Sequence, residues 1–365
     1  MSSVATIANI NTNSEVGEIA DPKLRKLLSR VAQEMELGIE RVAANHGKPA
    51  EFPLPTDPNS TERILAARFS ALPKAKKDKA AGGSLERLNA PAAARQKRFG
   101  DLAKVNLKTD ASIGSQVKTM PLPNGLSITL AELTGGATNA LTGEVVGGAS
   151  ILPTSPATAV RATKLEFRLH KVKCLNETGS TSFGSDEMDI GGSGVNSTGV
   201  THLIPRFRVG SDFDSGEQVT FSPPRQFTRF SLTEGTAFPK SYFVTMVLAE
   251  IDHGGFPDFL NKLVAKVKEK VKDLLLKAVG GLVGVSGGPV GVAIGIAVGF
   301  VVGKIFDLIG RFWGDDAFAP KTLTMKIPSL TARWPGGKSD SPEGIATFVG
   351  HGGKYEVTYD WRVFA

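Results

Sequence analysis

The sequence predicts a mainly β protein, an antiparallel β-sandwich or barrel, with an inserted glycine-rich helical hairpin and a partly helical, partly disordered N-terminal extension. Three observations carry that prediction. After about Thr119, short alternating apolar runs are separated by Gly, Ser, Asn and Pro clusters. From Ala278 to Gly303, 26 residues pass without a charged side chain, with glycines four apart. Before Thr119 the apolar spacing is helical. The expected division is 1–118 as a basic extension, 119–365 as the β-domain, and 256–313 as a hairpin inserted in it.

Residues 1–20 are polar and aperiodic, which predicts disorder. Asp21-Pro22 reads as an N-cap with proline in the first turn. Leu24, Leu27, Leu28, Val31, Met35 and Ile39 then share one helical face, ending near Asn45–Gly47. Four prolines make Lys48–Asn59 a linker. Thr61–Leu72 reads as a second helix stopped by Pro73, with shorter helices over Leu85–Leu88 and Ala92–Leu102. Large apolar residues are few here, so a solvated extension without its own core is expected.

The net charge of +7 is local: Ser60–Asp110 holds 12 Lys/Arg against 5 Asp/Glu, and the remainder balances. Such a segment favours an anionic partner such as a membrane surface, nucleic acid or an acidic protein, and no nucleic-acid platform of interleaved aromatic and basic residues stands out.

In the β region, Leu126, Ile128 and Leu130 alternate, as do Leu165, Phe167 and Leu169. Val219, Phe221, Phe227, Phe230, then Leu323, Met325 and Ile327 follow the same grammar. Tyr242–Ile251 is nearly continuous, the mark of a central strand. Tyr355, Val357, Tyr359, Trp361 and Val363 place a last strand at the end of the sequence, within seven to ten strands in all.

The insert begins with an amphipathic helix, Asp258–Lys277, whose apolar stripe is bordered by lysines. Lys262, Lys266 and Lys270 are candidates to bind an anionic surface. Gly287-Gly288-Pro289 punctuates, and a second helix runs from about Val290 to Phe312. Gly287, Gly291, Gly295, Gly299 and Gly303 form one row on it. Each glycine costs about 1 kcal/mol relative to alanine inside a helix. Five in a row predict close approach of another backbone, as in small-xxx-small helix packing within membranes. Trp313 is placed to sit at a membrane interface.

Acidic residues cluster in predicted turns. Glu177, Asp186, Glu187, Glu250, Asp252, Asp315 and Asp316 form a candidate oxygen-ligand set for calcium. Cys174-Leu175-Asn176-Glu177-Thr178, Ser185-Asp186-Glu187, Glu250-Ile251-Asp252, Asp315-Asp316-Ala317-Phe318 and the Tyr355–Trp361 alternation span roughly residues 160–365. Together they resemble a bacterial β-domain. That resemblance implies that the acidic positions act together, and it brings no activity with it.

One cysteine, Cys174, excludes an intramolecular disulfide and a cysteine-built zinc site. The five histidines lie far apart, and HExxH, GxSxG and GxxxxGK[ST] patterns are missing. His170 and Cys174 do not read as a base and nucleophile, because strand positions four apart are about 13 Å apart. No Sec-type signal peptide opens the chain, so synthesis in the cytoplasm and, if exported, a non-classical route are expected. The expected function is therefore non-enzymatic: a membrane-active, toxin- or effector-like protein whose hairpin inserts or self-associates. The alternatives are a soluble, calcium-stabilised binding module with the hairpin as core, and a hydrolase of unrecognised type.

Overall fold

The computed structural model describes residues 12–15, 21–123, 125–130, 132–133, 160–177, 186–235, 238–250, 256–280, 288–313, 318–350 and 352–365. Two antiparallel sheets lie beneath a layer of helices. One sheet runs β1 (Thr12–Glu15), β7 (Lys321–Ile327), β6 (Lys240–Glu250), β3 (Asp186–Val195), β4 (Thr201–Phe213). The other runs β5 (Gln218–Ser231), β2 (Lys164–Asn176), β9 (Gly353–Phe364), β8 (Gly344–Gly350).

Alternation explains how the sheets meet. Leu165, Phe167 and Leu169 on β2, and Tyr355, Val357 and Trp361 on β9, are buried in one core with Tyr242, Val244, Met246 and Leu248 of β6. Ring contacts cross between the sheets, Phe230 to Tyr242 at 5.1 Å and Phe213 stacked on Tyr355 at 5.9 Å. The other face of β6 supplies Phe243, Val247 and Ala249 to a second core beneath the helices. A strand covered on both faces has no polar side, which is why its sequence is a continuous apolar run.

The helical layer comprises α1 (Pro22–Gly47), α2 (Thr61–Ser70), α3 (Lys74–Leu88), α4 (Ala92–Phe99) and α5 (Ile113–Lys118), joined by α6 (Phe256–Ala278) and α7 (Gly288–Trp313). Asp21 caps α1 as expected, accepting from the Leu24 amide at 2.7 Å. Ser60 caps α2 in the same way.

Three expectations are corrected. Residues 22–118 are not a solvated extension without a core. One side of α1 joins the core under the helices, and Leu37 and Ala44 on its other side join Phe52, Phe99 and Leu102. The reason is ionic: Arg30, Glu34, Glu40 and Arg41 of α1 are buried and all four are paired, so charged positions are core positions here. Leu126 and Ile128 do not form a strand. Both side chains fill the helical core from an irregular segment, and the Ile128 amide donates to the Ala278 carbonyl at 3.0 Å. The acidic turn expected around Asp186–Asp189 is strand β3, and the following strand β4 was not legible either. Of the segment expected to be disordered, Thr12–Glu15 pairs with β7, and residues 1–11 and 16–20 lie outside the described residues.

Candidate functional site

The insert α6–α7 joins two neighbouring antiparallel strands. β6 and β7 pair from Lys240↔Ile327 to Met246↔Lys321, so the chain leaves and re-enters the sheet at the same end. Neither helix contributes a hydrogen bond to the sheet ladder. Residues 281–287, including Gly287 and the expected hairpin tip, lie outside the described residues.

Helix α7 sits between the sheet and α1, α3 and α6. Its segment Ala293–Trp313 is long and apolar enough to cross a membrane, and 71 % of its most apolar window is buried within the protein. Gly291 lies on the first turns of α7, and Gly295 and Gly299 face side chains rather than the close backbone that the glycine spacing predicts. A β-carbon at Gly295 would lie 3.1 Å from both Phe243 and Val195, and one at Gly299 would lie 3.1 Å from Thr322. One at Gly303 would meet nothing within 4 Å. Gly295 and Gly299 thus let the helix lie flat against β3, β6 and β7.

Trp313 closes the far end of α7. It is 2 % exposed and edge-on to Phe69 at 4.9 Å, and its indole N–H meets no acceptor among the described residues. Beside it, the guanidiniums of Arg87 and Arg98 lie 4.2 and 5.4 Å from the centre of the Phe312 ring. Both arginines also pair with the buried carboxylate of Glu40. Burial holds that carboxyl above its usual range, against the pull of Arg98 and Arg87. Basic residues from the 60–110 segment therefore serve the fold here.

The three lysines expected to meet an anionic surface are placed differently from one another. Lys262 is exposed. Lys266 donates to Glu269 one turn on, at 2.7 Å. Lys270 turns inward and donates to Glu34 of α1, a correction to the expectation of a free basic face. Lys277 donates to the Met120 carbonyl at 2.6 Å. These contacts border a groove of about 600 Å³ between α6 and the α1–α5 side, lined by both signs of charge, among them Arg30, Asp57, Lys118 and Asp273.

A second cavity, about 310 Å³, lies between α6 and strands β3 and β4. His202 lines it, with Nε2 2.6 Å from the Thr228 hydroxyl. Gly194 makes room for that ring: a β-carbon there would fall 2.3 Å from His202 Cε1. Burial holds the imidazole below its usual pKa, with Glu234 pulling weakly the other way. Burial also lowers Lys268 on the α6 wall, and Lys272 beside it adds to the effect.

The acidic set is dispersed where it is described. Glu187 on β3 pairs with Arg208 at 3.0 Å, and the Glu177 amide donates to the Ser215 hydroxyl at 3.0 Å beyond the end of β2. Asp186 and Glu250 end strands, while Asp252, Asp315 and Asp316 lie outside the described residues. Among the described residues no three His, Cys, Asp or Glu side chains come together as metal ligands.

On the outer face of the second sheet, His170 lies between Glu343 (Nδ1 at 3.2 Å) and Asp360 (Nε2 at 3.1 Å), and Arg168 donates to Asp340 and Asp360. The His170 Nε2 contact with Asp360 is close without forming a hydrogen bond. Cys174 points into the core instead, because a register shift between Leu169 and Lys171 changes the face. Sequence reasoning missed this network, whose members are far apart along the chain.

Compared with protein-family models, with curated proteins and with solved structures, the chain matches none of them.

Proposed function

We propose that the protein is membrane-active, a β-sandwich that stores an apolar helical hairpin and releases it into a bilayer. The observation that carries this reading is the placement of α7: a helix of spanning length, held inside the fold, on an insert that begins and ends between two paired strands. Withdrawing the insert leaves the β6–β7 ladder intact. Gly295 and Gly299 rest on side chains, so lifting α7 off the sheet there breaks no backbone pairing. Lys262 and Lys272, exposed on α6, suit an anionic headgroup region, and the Trp313 N–H gains acceptors there. Self-association through the freed glycine row is the form of packing expected within the bilayer.

Flotation with vesicles rich in anionic lipid, together with release of an entrapped dye, tests the proposal. Binding and release are expected, both reduced at high salt. Absence of both across the pH range in which the protein stays folded overturns it.

A second reading is favoured by the ionic seam: a soluble module in which α7 is permanent core, clamped by Lys270–Glu34 and by Arg87 and Arg98 around Phe312. It predicts no flotation and no release.

A further inference from the structure

Four strands border the two sheets: β1 and β4 in one, β5 and β8 in the other. Three of them carry features that discourage addition of another strand. β1 has four residues and ends in Glu15. β4 contains Pro205 followed by Arg206 and Arg208, and β5 contains Pro223-Pro224 followed by Arg225. β8, Gly-Ile-Ala-Thr-Phe-Val-Gly, has neither proline nor charge. It pairs with β9 on one side, and its other side has no backbone partner among the described residues. Ile345 and Val349 on it are 60 % and 65 % exposed, two of the five exposed large apolar side chains among the described residues.

We infer that β8 pairs with β8 of a second copy of this chain, antiparallel and two-fold about Thr347. The sequence of the strand commits the edge to itself. Setting Thr347 opposite Thr347 places Ile345 opposite Val349 twice on the outer face, a cross-strand pairing of β-branched side chains. On the core face it places the small Ala346 opposite the large Phe348, twice. Gly344 meets Gly350 at both ends. A two-fold interface must be self-complementary in this way, and the result is a continuous eight-stranded sheet across two copies.

The inference is independent of the membrane reading, since no lipid enters its test. Light scattering on the full chain after size exclusion reads the mass directly. Wild type is expected to show a concentration-dependent twofold increase over the monomer. Ile345→Lys/Val349→Lys sets like charges opposite each other at both pairs and is expected to stay monomeric, with a thermal melt equal to that of wild type at concentrations where wild type is itself monomeric, because both side chains are exposed in the single chain. Ile345→Lys/Val349→Glu sets opposite charges across the same pairs and is expected to restore the dimer. A wild type that is monomeric at every concentration overturns the inference, as does a Lys/Lys variant that dimerises like wild type. A Lys/Glu variant that melts like wild type but stays monomeric overturns the register.

Discussion

The Arg41 guanidinium and the Glu62 carboxylate form an ion pair at 2.8 Å in which neither side chain is exposed. Arg41 also donates to the carbonyls of Pro53, Thr109 and Ala111, and Glu62 accepts from the Ile113 amide at 2.7 Å. One residue of α1 thereby ties down the proline-rich linker, helix α2 and the segment entering α5. This pair holds the wall of the groove that faces α6.

Breaking the pair strands a buried charge. Glu62→Ala is expected to cost about 3–5 kcal/mol of folding free energy, read from urea denaturation. Replacing both partners with apolar residues, Arg41→Met with Glu62→Leu, is expected to cost less than Glu62→Ala alone. A loss below about 1 kcal/mol in the single variant contradicts the assignment.

A buried His202 makes stability depend on pH. Its pKa in the folded state lies below the usual 6.5, so the unfolded chain binds the proton first. The stabilisation is fully present above pH 6.5 and is lost as pH falls from there toward the folded value. The difference in unfolding free energy between wild type and His202→Asn should therefore shrink from pH 7.5 to pH 5.5. A difference that stays constant contradicts burial of the neutral ring.

Much of this fold was legible in the sequence, and the failures have physical causes. Helices α1, α2, α6 and α7 follow from caps and apolar spacing, and β2, β6, β7 and β9 follow from alternation or continuity. β3 was hidden because it carries three glycines, each forced by a neighbour. A β-carbon at Gly192 would lie 1.9 Å from the Thr245 carbonyl oxygen. β4 was hidden by Pro205 and by its two arginines, Arg206 and Arg208, both of which pair with Asp189. The buried charges of α1 look like a solvated face until their partners, 21 to 236 residues away, are in place. The groove between α6 and the α1–α5 side could not be seen, because it is assembled from four separate stretches of chain.

The glycine row separates into two kinds of position. Gly303→Ala should raise stability by up to about 1 kcal/mol, because alanine is the better helix former and space is open there. Gly295→Leu should lower it by about 1–3 kcal/mol, since Phe243 and Val195 already stand at contact distance. Thermal melts of the two variants check both signs. Equal effects would mean that α7 does not lie against the sheet at Gly295.

The central claim is that α7 must leave the sheet to act on a membrane. A Val195→Cys/Gly295→Cys variant tests it, because the built Gly295 β-carbon lies 3.1 Å from Val195 Cγ1 and the native Cys174 is buried. Dye release from anionic vesicles is measured with this variant oxidised and then reduced. The account predicts release by wild type and by the reduced variant, and none by the oxidised variant, in which α7 is tethered to β3. Equal release from the oxidised and reduced forms would contradict it.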